Sequence, residues 1–209
     1  MGRPRGSRNA DYAGKRASLA MKLVPRLLAP DGVDASMREL ARSAEVSVPT
    51  LRHYFSDRDG VISACLEVMQ QLGAVHLDRA AEERIDDDLY TSCLWVLQEF
   101  AVGWQNGIGQ MVTVGLVAGV GSKQIGAAYV STILEPTLQS VERRLAHHRD
   151  RGELTGDVDL RYASLALMCP VILGLMHQGP LSGRDLRPLD VDGFLENHVA
   201  HFVRGWATG

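Results

Sequence analysis

The sequence predicts an all-α protein, and three observations support this fold class. Apolar residues recur in nearly every segment at the i, i+3, i+4 spacing that marks one face of a helix. Alternating runs of β-branched residues, which would indicate strands, are missing. Links rich in Gly, Asp and Pro, such as 152–157 and 179–188, divide the chain into about nine helical segments. Helices of this number and length typically pack as a bundle.

The composition is that of an ordinary globular protein. The chain has 209 residues, of which 45% are hydrophobic and 22% are charged, and this excludes a disordered or collagen-like protein. Cys65, Cys93 and Cys169 lie far apart and in no metal-binding spacing, so we expect neither a disulfide framework nor a metal site. The first residues lack the apolar run of a signal peptide. We therefore expect a cytoplasmic protein that needs no cofactor.

The charge is divided unevenly along the chain. Residues 1–62 hold 11 Lys/Arg and 7 Asp/Glu, whereas residues 63–209 hold 11 Lys/Arg and 18 Asp/Glu. Within the first 26 residues there are 7 basic side chains and 1 acidic side chain. A basic N-terminal segment followed by an acidic remainder favours binding of a polyanion, such as nucleic acid, at the N-terminal end only. A solvated basic tail with no partner is the alternative.

Two short helices near residue 45 have well-marked starts. Ser36, with Glu39 three residues later, forms a capping box, in which each side chain pairs with the other residue's backbone N–H. A tight turn follows at Glu45, and Ser47 then caps a second short helix that ends near Phe55. Two short helices around such a turn are a helix-turn-helix. A helical corner with no role in DNA binding is the alternative.

The stretches 36–41 (SMRELA) and 46–55 (VSVPTLRHYF), followed by Arg58, resemble the signature of the TetR family of bacterial transcriptional regulators. The resemblance implies a homodimer whose two heads read a palindromic operator in double-stranded DNA. It also implies that the C-terminal body binds a small molecule, and that this binding controls release of the protein from its operator. A protein of this kind is most simply a repressor. The chain would then divide into a DNA-binding domain with a basic N-terminal arm at 1–62, and a ligand-binding and dimerisation domain at 63–209.

Three positions depart from the family's pattern. Glu45 stands where glycine is usual, and a positive φ at this residue would cost about 1 kcal/mol. Arg52 stands where an aromatic side chain is common, and this changes either a phosphate contact or a base contact. Pro25 lies within the first helix, predicted at about 9–29, and should kink or divide it.

The residues expected to contact DNA lie in the arm, on the outer face of the second short helix or at the start of the next helix. Hydroxyl, imidazole and guanidinium groups can bind phosphates or base edges, and apolar groups can touch thymine methyls. Arginines of the arm resemble minor-groove inserts, although a tail without specific contacts is as compatible with the sequence. The complete set is Arg3, Arg5, Arg8, Ser47, Val48, Pro49, Thr50, Arg52, His53, Tyr54 and Arg58.

The body carries large, adaptable apolar side chains with few charges near them. Such side chains line sites for hydrophobic small molecules, and amide or imidazole groups among them can orient a ligand. Ordinary core packing is the alternative for each residue taken singly. The predicted ligand-binding set is Met69, Trp95, Trp104, Gln105, Gln110, Met111, Met176 and His177.

The last helix, predicted at 191–207, has an apolar stripe that is too rich for a solvated helix. The family resemblance favours a homodimer through this helix and the one predicted at 159–177, as a four-helix bundle across a two-fold axis. Two uncharged stretches, 100–122 and 162–183, have the length of membrane spans. Glycines, amides and prolines within them argue against insertion, so no membrane partner is expected.

Catalytic motifs are absent from the sequence. It contains no GxxxxGK[ST] phosphate-binding loop, no GxSxG elbow and no HExxH metal motif. We therefore expect a DNA-binding regulator rather than an enzyme. Two alternatives remain open, a small all-α enzyme that contains a helix-turn-helix corner and a DNA-binding protein that responds to no ligand.

Overall fold

The computed structural model describes residues 5–29 and 31–208, with the side chains of 5–10 left out, and confirms the all-α class. Its α-helices, in chain order from α1 to α11, are Arg5–Leu27, Met37–Ser43, Val48–Phe55, Arg58–Glu82, Leu89–Gly103, Gly109–Gly121, Lys123–Tyr129, Glu135–Asp150, Leu160–Gln178, Gly183–Leu186 and Val191–Trp206. A 3-10 turn lies at Gly32–Asp34, and π-helical segments lie at Trp104–Ile108 and Val130–Leu134.

The predicted number of helices agrees with these elements. A π-helical segment joins α7 to α8, and α10 is a single turn, so nine helices remain among the described residues if α7 and α8 are counted as one and α10 is set aside. From α5 onward the sequence predicts helices at about 87–103, 108–119, 122–150, 159–177 and 191–207, and their ends lie within two residues of the observed ends. The short α10 was not predicted, because 179–188 has the composition of a link.

The start of α1 differs from the sequence-based expectation. The helix begins at Arg5 rather than near residue 9, so 5–8 belong to its first turns and not to a flexible arm. The prediction that Pro25 divides the helix is wrong, because α1 continues to Leu27 with the proline in its last turn.

The described chain forms two compact units. Unit 1 contains the chain up to Gly73 together with Gln110–Ile133, and unit 2 contains Ala74–Gly109 together with the chain from Leu134 onward. In unit 1 a core forms where apolar faces of the first four helices meet, and its members are less than 3% exposed. They include Leu23, Leu27, Leu40, Leu51 and Ile62. The predicted functional boundary at residue 62 stays a prediction.

Among the described helices, α9 is the one with the length and apolar composition to cross a membrane. Only 33% of its apolar window is buried in the structure. Tyr162 and Leu173 on this helix are 65% and 63% exposed, so a large part of its apolar surface is uncovered in the single chain.

Unit 2 contains a fully buried arginine. Nε of Arg144 donates to the carbonyl oxygen of Ala80 at 2.6 Å, Nη2 donates to that of Glu83 at 2.5 Å, and Nη1 donates to the hydroxyl of Ser92. Its guanidinium lies over the ring of Trp95, 5.1 Å from the ring centroid. Burial lowers the pKa of Arg144 from its usual value. The side chain of Arg144, on α8, thus joins the end of α4 to the start of α5 through these hydrogen bonds.

The buried imidazole of His148 extends this cluster. Its Nε2 lies 2.8 Å from the hydroxyl of Ser92, and its Nδ1 lies 2.9 Å from Oε2 of Glu153. An ionised carboxylate only accepts, so Nδ1 carries a proton. Burial favours the neutral imidazole, and in that form Nε2 accepts from the serine hydroxyl. Burial lowers the pKa of His148, as do Arg151 and Arg144, while Glu153 opposes the shift.

A pH-dependent loss of stability should follow from this neutral imidazole. Since the pKa of His148 is lower in the folded state than the ordinary value of 6.5, the unfolded chain binds more protons as the pH falls. The free energy of unfolding should therefore be unaffected by this group above about pH 6.5 and decrease below it, by at most about 1.4 kcal/mol per pH unit. Urea denaturation between pH 8 and pH 5 measures the slope.

Two variants make this test specific. His148→Gln should show a flatter dependence on pH in that window, whereas His76→Gln, at an exposed position of α4, should keep the wild-type dependence. Equal losses of free energy in wild type and His148→Gln would contradict the assignment of the effect to His148.

Candidate DNA-binding site

The predicted capping box at the start of α2 is present. The hydroxyl of Ser36 accepts from the backbone N–H of Glu39 at 3.3 Å, and Oε2 of Glu39 accepts from the backbone N–H of Ser36 at 2.8 Å. Hydrogen bonds from Ser36 lower the pKa of the Glu39 carboxyl. The reciprocal bonds satisfy two backbone donors and fix where α2 begins.

The turn between α2 and α3 keeps a tight geometry without glycine. Glu45 stands where the family usually has glycine and has a φ of 58°, and a non-glycine residue in this region costs about 1 kcal/mol. The backbone N–H of Val46 donates to the carbonyl of Ala41 at 3.0 Å, which closes the end of α2. Ala41 is buried, and its small side chain permits the two helices to approach.

The second helix presents the expected face to solvent. Ser47 caps α3 by accepting from the backbone N–H of Thr50 at 3.1 Å, and its hydroxyl lies 2.8 Å from that of Thr50. Leu51 and Phe55 are buried on the inner face. The outer face therefore carries the polar and basic residues of the helix.

Seven of the predicted DNA-contacting residues lie on α3 or at its cap. Ser47, Pro49, Arg52 and His53 are exposed, and Val48, Thr50 and Tyr54 are half-buried. The structure thus brings these seven together, while their contacts with DNA stay predictions.

The remaining predicted contacts lie elsewhere. Nε of Arg58 donates to the carbonyl of Ala35 at 3.1 Å, so this side chain also joins the start of α4 to the segment before α2. Arg3 lies outside the described residues, and for Arg5 and Arg8 the structure describes only the helical backbone of α1.

Sequence analysis missed two residues of α1 that contact α3. The hydroxyl of Tyr12 donates to the carbonyl oxygen of His53 at 3.0 Å. One turn later, the guanidinium of Arg16 lies over the ring of Phe55 at 5.6 Å and pairs with Glu67 of α4 at 2.7 Å. The signal available in the sequence was the i, i+4 spacing of Tyr12 and Arg16, which places both residues on the same face of α1.

Unit 1 contains three of the predicted ligand-binding residues. Met69 and Met111 line a cavity of about 10 Å³, which is the space of about one water molecule. The side chain of Gln110 is exposed. The other residues that line the cavity are Val24, Leu27, Leu28, Ile62, Cys65, Leu66 and Val114.

The other five predicted ligand-binding residues lie in unit 2. The ring of Trp95 lies beneath the guanidinium of Arg144, and Trp104 is buried beside Phe100, with 6.0 Å between ring centroids. Gln105 is exposed and Met176 is half-buried. His177 lines an open groove of about 490 Å³ together with Pro170, Leu173, Gly174, Arg187, Pro188, Leu189 and Phe194. A common ligand site for the eight residues stays a prediction.

Comparison with known families decides the identity of the helix-turn-helix. Residues 26–65 match the family described as bacterial regulatory proteins, tetR family, and this span contains α2, the turn at Glu45 and α3. The helix-turn-helix segment therefore matches that of the TetR family. No curated protein sequence matches the chain.

Solved structures of TetR-family proteins share the fold of nearly the whole chain. A TetR transcription regulator from Haloarcula marismortui superposes with a TM-score of 0.70 at 13% identity, covering 93% of this chain and 100% of the other. The fatty acid degradation regulator FadR from Bacillus halodurans gives 0.66 at 12% identity, covering 90% and 94%. SmeT, the repressor of the Stenotrophomonas maltophilia multidrug efflux pump SmeDEF, gives 0.62 at 15% identity, covering 90% and 90%.

Proposed function

We propose that this TetR-family regulator is a repressor that a mostly apolar small molecule releases from a palindromic operator. The observation that carries the proposal is the outward face of α3, where Arg52 and His53 are exposed while Leu51 and Phe55 anchor the helix from beneath. An α-helix with such a face fits the major groove, and its side chains can read base edges there. The proposed location is the cytoplasm, where DNA is accessible.

A homodimer through α9 and α11 is part of this proposal. The exposed residues of α9 include Tyr162, Cys169, Pro170 and Leu173, which form an apolar strip along the helix. An apolar strip of this length in water is unfavourable, and such surfaces usually mark interaction sites. Pairing with the same face of a second copy would cover the strip and give the two-fold symmetry that a palindromic operator requires.

Ligand control is supported by contacts within unit 1. Ser122, at the junction of α6 and α7, donates from its hydroxyl to Oδ2 of Asp59 at 2.6 Å, near the start of α4. Met111 of α6 and Met69 of α4 meet at the small apolar cavity. A ligand that shifts α6 would therefore shift the helix that follows the helix-turn-helix. Ligand and DNA would then each lower the affinity for the other.

Titration with apolar compounds tests this control. The probe DNA is a duplex that the wild-type protein itself enriches from a random-sequence pool, called here the selected duplex. An effector at 100 times its Kd should stabilise the protein by about 2.7 kcal/mol, seen as a higher melting temperature, and should release the selected duplex over the same concentration range. A compound that raises the melting temperature but leaves DNA binding intact would contradict ligand control through that site.

The alternative function is that of a small all-α enzyme, and one arrangement of side chains resembles a catalytic site. Glu153, His148 and Ser92 form a hydrogen-bonded line that resembles a hydrolytic triad. The serine is 0% exposed and its hydroxyl also accepts from Arg144, so no substrate can reach it. This line is better explained as a structural network.

The N-terminal arginines should contribute electrostatically to DNA binding. Replacing Arg3, Arg5 and Arg8 together with glutamine removes three positive charges and should weaken binding to the selected duplex. The slope of log K against log salt should become shallower by about 0.9 for each DNA phosphate that is no longer neutralised. Fluorescence anisotropy at several salt concentrations measures the slope, with Arg187→Gln, at an exposed position of unit 2, as the control. Equal slopes for wild type and the triple variant would show that these arginines bind no phosphates.

A further inference from the structure

The C-terminal end of α3 depends on a residue outside the helix-turn-helix. The last four carbonyls of any helix lack partners within the helix, and those of His53 and Tyr54 belong to this group. The hydroxyl of Tyr12 donates to the carbonyl oxygen of His53 at 3.0 Å and approaches that of Tyr54 at 3.4 Å. Ser56, which ends α3, has a φ of 64°, so the exit from the helix is strained. The phenol therefore stabilises a helix end that local sequence leaves weak.

The ring of Tyr12 also contacts the two aromatic side chains at this end of α3. It lies 5.6 Å from the ring of His53 in an edge-on arrangement and 5.0 Å from the ring of Tyr54 in a tilted arrangement. The rings of His53 and Tyr54 are 5.0 Å apart and edge-on to each other. Each pair is within the range of favourable aromatic contacts. The three rings form a cluster that restricts the orientation of both α3 side chains.

The neighbouring residue on the same face of α1 keeps this cluster in place. Arg16 lies one turn after Tyr12, with its guanidinium over the ring of Phe55 and in an ion pair with Glu67. These contacts join α1, α3 and α4. Tyr12 is 39% exposed, so part of its side chain is accessible to solvent while its hydroxyl and ring make these contacts.

We propose that Tyr12 is a positioning residue for sequence recognition: it fixes the end of α3 and the side chains of His53 and Tyr54 in the geometry that DNA requires. This inference rests on the proposed DNA-binding function. Fixing these side chains before binding avoids the loss of conformational freedom on association. The effect should appear in the affinity for the selected duplex and not in the affinity for DNA of unrelated sequence, because phosphate contacts are unchanged.

Two substitutions separate the hydroxyl from the ring. Tyr12→Phe removes only the hydrogen bond to α3 and should weaken binding to the selected duplex about two- to tenfold. Tyr12→Leu also removes the ring contacts and should weaken it about tenfold or more. Affinity for a scrambled duplex of the same length should stay at the wild-type value for both. Tyr90→Phe, on α5 of unit 2, is the matched control and should bind both duplexes as wild type does.

A double-mutant cycle tests whether Tyr12 acts through α3. In a Tyr54→Ala background, the additional loss caused by Tyr12→Phe should be smaller than in wild type, because one of the two side chains that it positions is gone. The same reduction is expected in a His53→Ala background, and additive losses in both backgrounds would overturn the proposal, since they would mean that Tyr12 acts independently of both side chains.

Two further results would also overturn it. Unchanged affinity of both Tyr12 variants for the selected duplex would show that the cluster has no role in recognition. Equal weakening for the selected and scrambled duplexes would show that Tyr12 contacts the DNA backbone itself. A failure of the wild-type protein to enrich any duplex would instead count against the proposed function, so the two failures can be distinguished.

Discussion

Replacing Arg144 with leucine should lower the free energy of unfolding by about 3 kcal/mol or more. The substitution removes the donors to the part-buried carbonyls of Ala80 and Glu83 and to the buried hydroxyl of Ser92, and an unsatisfied buried acceptor costs about 1–3 kcal/mol. It also removes the cation from the face of the Trp95 ring. Urea denaturation followed by circular dichroism measures the loss.

The neighbouring arginine provides a matched control for this experiment. Arg143 is on the same helix, its side chain is 55% exposed, and it lies 3.5 Å from an oxygen of Asp78. Arg143→Leu should therefore change the free energy of unfolding by about 0.5 kcal/mol or less. If Arg144→Leu is no less stable than Arg143→Leu, the buried cluster does not hold α4, α5 and α8 together.

Replacing Thr50 and Tyr54 with alanine should remove sequence-specific DNA binding while leaving the fold intact. The two residues lie one turn apart on the outer face of α3, and each good contact to a base edge is worth about 1–3 kcal/mol. The affinity for the selected duplex should fall about 100-fold or more, since 1.4 kcal/mol corresponds to a factor of ten. A gel shift measures the affinity, and circular dichroism checks the fold.

The paired control places two alanine substitutions at exposed polar residues of unit 2. Gln98→Ala with Gln139→Ala should leave both DNA affinity and helix content at their wild-type values. If the Thr50→Ala, Tyr54→Ala protein still binds the selected duplex with wild-type affinity, α3 is not the recognition helix.

Sequence analysis predicted well the features that depend only on residues close together in the chain. The capping box at Ser36 and the cap at Ser47 each depend on residues three positions apart. Helix ends from α5 onward followed from apolar periodicity and from Gly, Asp and Pro at the links. The family resemblance placed Glu45 at a position where glycine is usual, and this residue has a positive φ in the structure.

The features that were missed depend on residues far apart in the chain. Tyr12 meets His53 across 41 positions, and Arg144 meets Ala80 across 64. In each case a single side chain binds backbone carbonyls of a distant helix, and backbone acceptors carry no signal in the sequence. The predicted ligand-binding residues are distributed over both units for a related reason, because periodicity shows which side chains turn inward but not which of them meet.

Selection of DNA by the wild-type protein from a random-sequence pool, followed by footprinting of the enriched duplex, tests the central claim most directly. A dimeric TetR-family regulator that reads DNA with α3 should enrich an inverted repeat and protect both of its half-sites, and the Thr50→Ala, Tyr54→Ala protein should protect neither. The claim is contradicted if no sequence is enriched, or if the double variant protects the same bases as the wild type.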